Sequence, residues 1–168
     1  RYYWDASQGL KYLEKGQNPY TPAASLYYGL AESLRIMKEE GLDNIIERHR
    51  NYRDMVRSSV QAMGLELLAK DEYASHALTA VVAPEQIGAN QIRKFMLEQF
   101  NIVLAGGQQK LDNVIFRIGH LGYVRELDLL AALAALEISL YKLGWEIELG
   151  IGINKAQTFI LNKTQKGD

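Results

Sequence analysis

Apolar side chains recur at two different spacings along this chain, and the change of spacing limits the folds that it can adopt. Stripes that repeat about every 3.6 residues are typical of amphipathic helices. They span residues 23–40, 45–63, 90–100 and 125–144. Shorter runs rich in Val, Ile and Leu predict strands. They span residues 65–70, 78–83, 101–107 and 113–119. This order predicts an α+β fold, in which a small, mainly antiparallel sheet is covered on one face by helices.

The two ends of the chain carry weaker patterns. Residues 1–21 are aromatic and irregular, and Pro19 and Pro22 disfavour helical backbone in the residues before them. Near the other end, apolar and other residues alternate through EIELGIGIN (residues 146–154), as they do in a strand. We therefore expect residues 145–168 to form a strand-like extension that packs on a surface of the domain.

Composition excludes several classes of function. The 168 residues include 19 basic and 20 acidic side chains, so no net field favours nucleic acid or an anionic membrane. The chain contains no cysteine, which excludes disulfides and thiolate nucleophiles and is consistent with a cytoplasmic protein. No apolar run approaches the roughly 18 residues of a membrane span. The three histidines are far apart and lack carboxylates at ligand spacing, so we predict no metal site.

The segment NVIFRIGHLG, residues 113–122, places Arg117 inside an apolar strand. Because successive side chains of a strand point to opposite faces, Val114, Phe116 and Ile118 share one face and Arg117 lies on the other. If the first set packs against helices, Arg117 stands on the open face of the sheet. Its guanidinium matches a carboxylate bidentately, which makes it a candidate for binding a carboxylate ligand. An ordinary interdomain or surface salt bridge accounts for the same residue equally well.

Residues close to this arginine are further candidates for the site. His120 follows it in a glycine-rich turn, where a structural and a functional role are equally compatible with the sequence. Gly106 and Gly107 let backbone approach a ligand closely, or they simply form a turn.

A second candidate segment is NPYTP, residues 18–22. The hydroxyls of Tyr20 and Thr21 lie on backbone braced by proline, where they are able to bind a phosphate oxygen. The alternative is that Thr21 caps the following helix. The sequence has no G-x-x-x-x-G-K-[ST] or G-x-G-x-x-G loop, and no serine has the histidine and aspartate partners of a hydrolase.

Three separated segments together resemble the C-terminal half of class V aminotransferases. They are GQNPYTPAASLYYGLAESLRIMKEEGLDNIIERHR at residues 16–50, GLELLAK at 64–70 and NIVLAGGQQKLDNVIFRIGHLG at 101–122. Their order and spacing are similar to those of the alanine/serine–glyoxylate branch, some members of which carry the name of a soluble hydrogenase subunit. The resemblance runs from Tyr2 to Leu143.

The resemblance implies a homodimeric enzyme of fold type I that uses pyridoxal 5′-phosphate and has a large cofactor domain followed by a small domain. It assigns Arg117 to the carboxylate of the substrate, a small amino acid or 2-oxo acid. It assigns Thr21 to the cofactor phosphate of the partner subunit. Some members use a tyrosine three positions earlier, where this chain has Asn18, and Tyr20 is the candidate to replace it. The glycine pair at 106–107 is expected near the active site.

The resemblance also implies a lysine that this chain does not supply. Family members hold the cofactor covalently through a lysine in an S-x-x-K type motif upstream of YTP, whereas Lys11 and Lys15 lie in GLKYLEKG. We therefore expect a C-terminal piece of a larger enzyme, inactive alone, that transfers an amino group from alanine or serine to glyoxylate. Residues 1–22 are expected to end the large domain, 23–144 to form the small domain and 145–168 to extend it.

Two alternatives stay open. Another class V activity, on phosphoserine or kynurenine, is compatible with these residues, whereas cysteine desulfuration is not because the chain has no cysteine. The second alternative is a non-catalytic binding or assembly domain, such as a subunit of an oxidoreductase (soluble hydrogenase) complex.

Overall fold

The structure, a computed structural model, describes residues 2–164. The chain separates into two compact units, Arg1–Leu42 and Asp43–Asp168. Among the described residues, no helix combines the length and the apolar character needed to cross a membrane.

The first unit consists of a 3-10 turn followed by two helices. They are the turn Tyr2–Trp4, α1 (Ala6–Leu13) and α2 (Ala24–Glu40). The prediction of irregular backbone through residues 1–21 is wrong over α1, because Asp5 caps this helix. The Asp5 carboxylate accepts hydrogen bonds from the backbone N–H of Ser7 at 3.0 Å and from its hydroxyl at 2.6 Å.

Helix α2 confirms the predicted helix to within one residue. Its apolar stripe recurs at helical spacing through Leu26, Leu30, Leu34 and Met37. No side chain of α2 is buried, and all four residues of the stripe are exposed. Gly41, with a φ of 85°, ends the helix by a backbone conformation that glycine adopts readily.

Within the described residues, the second unit contains four helices and four strands. The helices are α3 (Leu42–Ala62), α4 (Ala89–Phe100), α5 (Glu126–Lys142) and α6 (Ile151–Thr164). The strands are β1 (Glu66–Leu67), β2 (Leu78–Val82), β3 (Ala105–Gly106) and β4 (Ile115–Gly119). The predicted positions of α3, α4 and α5 and of all four strands are confirmed, although β1 and β3 are shorter than predicted.

The four strands form one sheet in the order β1-β2-β4-β3, and every neighbouring pair is antiparallel. Strand β4 therefore lies between β2 and β3. Its central residue, Arg117, is opposite Ala80 on one side and Ala105 on the other. This pairing confirms the predicted antiparallel sheet.

One face of this sheet packs against the helices. Its buried side chains include Val81, Phe116 and Ile118. The facing helices contribute Val56 and Val60 from α3, Ile92 and Met96 from α4, and Leu133 and Leu136 from α5. The predicted core face of β4 is thus confirmed at Phe116 and Ile118. Val114 is exposed, because it precedes β4 and does not continue that face.

The segment after α5 is helical, so the predicted strand-like extension is wrong. Glu137, a buried residue of α5, accepts hydrogen bonds from the backbone N–H groups of Gly150, Gly152 and Ile153 at the start of α6. The first N–H groups of a helix have no partner within the helix, so a carboxylate there satisfies them and interacts favourably with the helix dipole. Residues 165–168 of the predicted extension lie outside the described part of the chain.

A glycine in this segment allows the start of α6 to pack closely against the core. A Cβ on Gly152 would lie 2.4 Å from Cε of Met63 and 2.9 Å from Oε1 of Glu137. Glycine therefore lets α6 approach α3 and α5 closely. Ala156, one turn further along, is fully buried against the same core.

Replacement of Glu137 by alanine should destabilise the second unit. Three N–H groups lose a charged acceptor, so we expect the free energy of unfolding to fall by about 2–3 kcal/mol. Amide hydrogen exchange at Gly152 and Ile153 should accelerate together. Glu146→Ala, which removes an exposed carboxylate from the preceding loop, is the matched control. Unchanged exchange at both amides in Glu137→Ala would contradict this role.

Candidate functional site

Arg117 lies at the middle of β4 on the face of the sheet opposite the helix-packed core. Its side chain is half-buried. The residues directly opposite, Ala80 on β2 and Ala105 on β3, carry only methyl groups. Directly paired residues share one face of an antiparallel sheet. The arginine therefore stands on the open face between two small neighbours.

The guanidinium of Arg117 is held by one neutral acceptor. Its Nε donates a hydrogen bond to the carbonyl oxygen of Gly106 at 2.9 Å. Among residues 2–164, no carboxylate pairs with Arg117 and no acceptor binds its two terminal nitrogens. Arg117 therefore forms no salt bridge within the described residues. The two terminal N–H groups are oriented by Nε and are free to bind a carboxylate in a fork.

Both glycines beside Arg117 are closely packed. A Cβ on Gly107 would lie 1.8 Å from the carbonyl oxygen of Leu111, so no other residue fits there without moving the backbone. A Cβ on Gly106 would lie 2.7 Å from Nη1 of Arg93. The pair is therefore more than a flexible turn, because each glycine permits a specific close approach.

His120 is fully buried directly after β4. Its Nδ1 lies 3.1 Å from the carbonyl oxygen of His76, which only accepts, so Nδ1 carries the proton. Its Nε2 therefore accepts from the hydroxyl of Thr79 at 3.0 Å. Burial lowers the pKa of His120 to about 4, and the bond to His76 partly opposes this shift. Both ring nitrogens are used within the protein, and the neutral ring links the end of β4 to β2.

The loop that follows is held by helix α3, a contact that we did not predict. The backbone N–H of Gly122 donates to Nε2 of His49 at 3.1 Å, and its carbonyl accepts from Arg48 at 2.9 Å. Nδ1 of His49 donates to the carbonyl of Ile45 at 2.7 Å, which fixes the ring. The RIGHLG segment is thereby fixed at both ends. The helical spacing around His49 indicated a boundary residue but gave no sign of its partner.

Tyr20 and Thr21, the other predicted site residues, belong to the first unit. The Tyr20 hydroxyl donates to the carbonyl of Tyr2 at 2.6 Å, and its ring packs on those of Tyr2 and Tyr3. Burial against these neighbours raises the pKa of Tyr20. The side chain of Thr21 is exposed. Its hydroxyl has no partner among residues 2–164.

Known proteins match most of this chain. No family model matches it. It is 41% identical over 163 residues to the soluble hydrogenase 42 kDa subunit of Anabaena cylindrica, covering 96% of this chain and 42% of that protein. It is 38% identical over 160 residues to the serine–glyoxylate aminotransferase of Arabidopsis thaliana, covering 94% and 40% respectively. The solved structure of ureidoglycine–glyoxylate aminotransferase from Bacillus subtilis matches with a TM-score of 0.89 at 34% identity, covering 95% and 42%.

By fold and sequence, the chain is similar to the C-terminal part of class V aminotransferases. Its relatives within that family include serine–glyoxylate and ureidoglycine–glyoxylate aminotransferases. The chain spans about two-fifths of the length of these relatives, with 42% and 40% of the two curated proteins covered. The match is consistent with their C-terminal domain.

The buried His120 should make stability depend on pH. Its pKa is about 4 in the folded protein and near the ordinary 6.5 when unfolded, so the unfolded chain takes up the proton first. The stabilisation from the neutral ring is complete above pH 6.5 and is lost as the pH falls toward 4. We expect a slope of up to about 1.4 kcal/mol per pH unit in urea unfolding over this window.

The variant His120→Gln should lose this contribution to the slope, whereas His76→Gln should keep it, because only the backbone carbonyl of His76 takes part. Equal slopes in the wild-type protein and His120→Gln would show that another group titrates.

Proposed function

We propose that the intact protein to which this chain belongs is a pyridoxal-phosphate-dependent aminotransferase that moves an amino group from alanine or serine to glyoxylate. The observation that supports this most is the unpaired fork of Arg117 on the open face of the sheet. Relatives named serine–glyoxylate and ureidoglycine–glyoxylate aminotransferase support the reaction class.

Arg117 binds the carboxylate that the amino donor and the 2-oxo acid acceptor have in common. The guanidinium stays charged at all relevant pH values and presents two parallel N–H groups to the two carboxylate oxygens. The bond from Nε to Gly106 fixes the plane of this fork. One arginine therefore serves both halves of the reaction and holds the α-carbon of each substrate in a constant orientation.

The hydroxyl of Thr21 fits a cofactor phosphate, because it is exposed and has no partner among the described residues. Tyr20 fits less well, because its hydroxyl proton already bonds to the carbonyl of Tyr2. We assign Thr21 to the phosphate of the cofactor held by the partner subunit of a homodimer. When bound, pyridoxal phosphate withdraws the negative charge that develops at the α-carbon of the substrate.

We place the backbone of Gly106 and Gly107 in the wall of the site beside Arg117. The tight packing at both glycines keeps this wall rigid. His120 supports the neighbouring strands from the buried side, since both of its ring nitrogens bond within the protein.

The lysine that holds the cofactor is expected outside this chain. Lys11 and Lys15 lie at the end of α1 and beyond it, and the ammonium of Lys15 lies 5.3 Å from the ring centroid of Tyr12. That contact is a common one at protein surfaces. We infer that the 168-residue chain alone does not catalyse transamination and acts as the C-terminal domain of the whole enzyme.

A second candidate function is assembly within an oxidoreductase complex. It is favoured by the names of relatives such as the soluble hydrogenase small subunit of Synechococcus sp. (strain PCC 6716), which is 43% identical over 145 residues. The chain has no cysteine to ligate an iron–sulfur cluster or nickel. It would therefore serve such a complex through surface contacts alone.

Replacement of Arg117 by alanine in the intact enzyme tests the proposed function. Removing a charged partner of the substrate carboxylate costs about 3–5 kcal/mol where the pair is shielded from water. We expect KM to rise on the order of a hundredfold or more for both the amino donor and glyoxylate. The absorbance of the bound cofactor should stay unchanged, because Arg117 is not assigned to it.

Arg50→Ala is the matched control, because this exposed arginine on α3 pairs, among residues 2–164, only with Glu47 of the same helix. Its KM values should equal those of the wild-type enzyme. Near-normal KM values in Arg117→Ala would exclude this residue as the carboxylate ligand. Absence of transamination in the intact wild-type enzyme would instead favour the assembly role.

A further inference from the structure

We propose that Arg93 is a positioning residue for Arg117 and acts through the backbone of Gly106. Its relevance to catalysis rests on the proposed function, whereas its geometry rests on contacts within the second unit. Arg93 is a half-buried residue of α4, and α4 packs on the core face of the sheet. Arg117 stands on the opposite, open face. Arg93 therefore influences a bound carboxylate only through the strand between them.

Two neutral acceptors hold the guanidinium of Arg93. Its Nε donates to the carbonyl of Leu104 at 2.9 Å, and its Nη1 donates to Oδ1 of Asn90 at 2.9 Å. Leu104 is buried and directly precedes β3, whereas Asn90 belongs to α4 itself. No carboxylate of residues 2–164 pairs with Arg93. The side chain thus connects the helix to the start of the edge strand.

Both Arg93 and Arg117 contact Gly106. A Cβ on Gly106 would lie 2.7 Å from Nη1 and 3.0 Å from Cζ of Arg93, so the missing side chain is what admits the guanidinium. The carbonyl of the same residue accepts the Nε–H of Arg117. Arg93 supports Gly106 from the core side, and Gly106 orients Arg117 on the open side.

The edge strand needs this support because it is short. Strand β3 has two residues and, within the described part of the chain, pairs only with β4. If Arg93 is removed, the carbonyl of Leu104 loses its side-chain donor and Gly106 loses the group packed against it. The carbonyl of Gly106, which accepts from Arg117, then has no fixed position. The guanidinium of Arg117 is no longer preoriented, so each binding of a carboxylate includes the entropic cost of ordering it.

Four variants of the intact holoenzyme test this inference: Arg93→Ala, Gly106→Ala, their combination and the control Lys94→Ala. Each of the first two should raise KM for the amino donor and for glyoxylate about tenfold with little change in kcat, because a small misplacement of a positioning group weakens binding. The combination should also raise KM about tenfold and not a hundredfold, since Gly106→Ala displaces Arg93 itself. Lys94, the exposed neighbour on α4, should have no effect.

A second readout reports the geometry without catalysis. In holoenzyme labelled with 15N-arginine, the Nε–H of Arg117 should exchange with water several-fold faster in Arg93→Ala than in Lys94→Ala. If Arg117→Ala leaves KM unchanged, the proposed function fails, and this exchange rate alone decides the role of Arg93. Unchanged exchange in Arg93→Ala, or KM effects that multiply in the combined variant, would overturn the inference even if the melting temperature falls.

Discussion

The antiparallel pairing of β4 with both of its neighbours is the constraint on which the site depends. It directs Phe116 and Ile118 into the core and Arg117 to the open face. The same register places Ala80 and Ala105 directly beside the arginine. A shift of one residue would exchange the two faces and bury a guanidinium among apolar side chains, at a large cost in free energy. The register that buries the apolar face is therefore the same one that the proposed binding role of Arg117 requires.

Contacts from outside the sheet then fix the backbone around this register. Two residues of α3 bind the backbone of Gly122: Arg48 donates to its carbonyl, and His49 accepts from its N–H. Arg93 of α4 holds the start of β3. Within the described residues, no buried side-chain nitrogen or oxygen lacks a hydrogen-bond partner. The helices thus act as a rigid support for the open face as well as a source of apolar core.

The spacing of apolar residues predicted most helices and strands of the second unit, because each of these elements buries one face. The alternation of side chains along β4 likewise predicted that Arg117 lies on the open face. Helix α6 was missed because its N-terminus is capped by Glu137, which precedes it along the chain on another helix. The role of Arg93 was missed for the same kind of reason. A sequence pattern reports local geometry, whereas these contacts join residues that only the fold brings together.

The unpaired guanidinium nitrogens of Arg117 on the open face support the proposal that this face binds an anion. Partial burial removes water from a charged group, and that cost is normally offset by an opposite charge. Arg57 of the same unit has such a partner, since it pairs with Asp71 and also donates to a backbone carbonyl. Arg117 receives one neutral acceptor at Nε and no carboxylate from the described residues. The fold therefore orients this charge without neutralising it, which is the arrangement that a carboxylate-binding site requires.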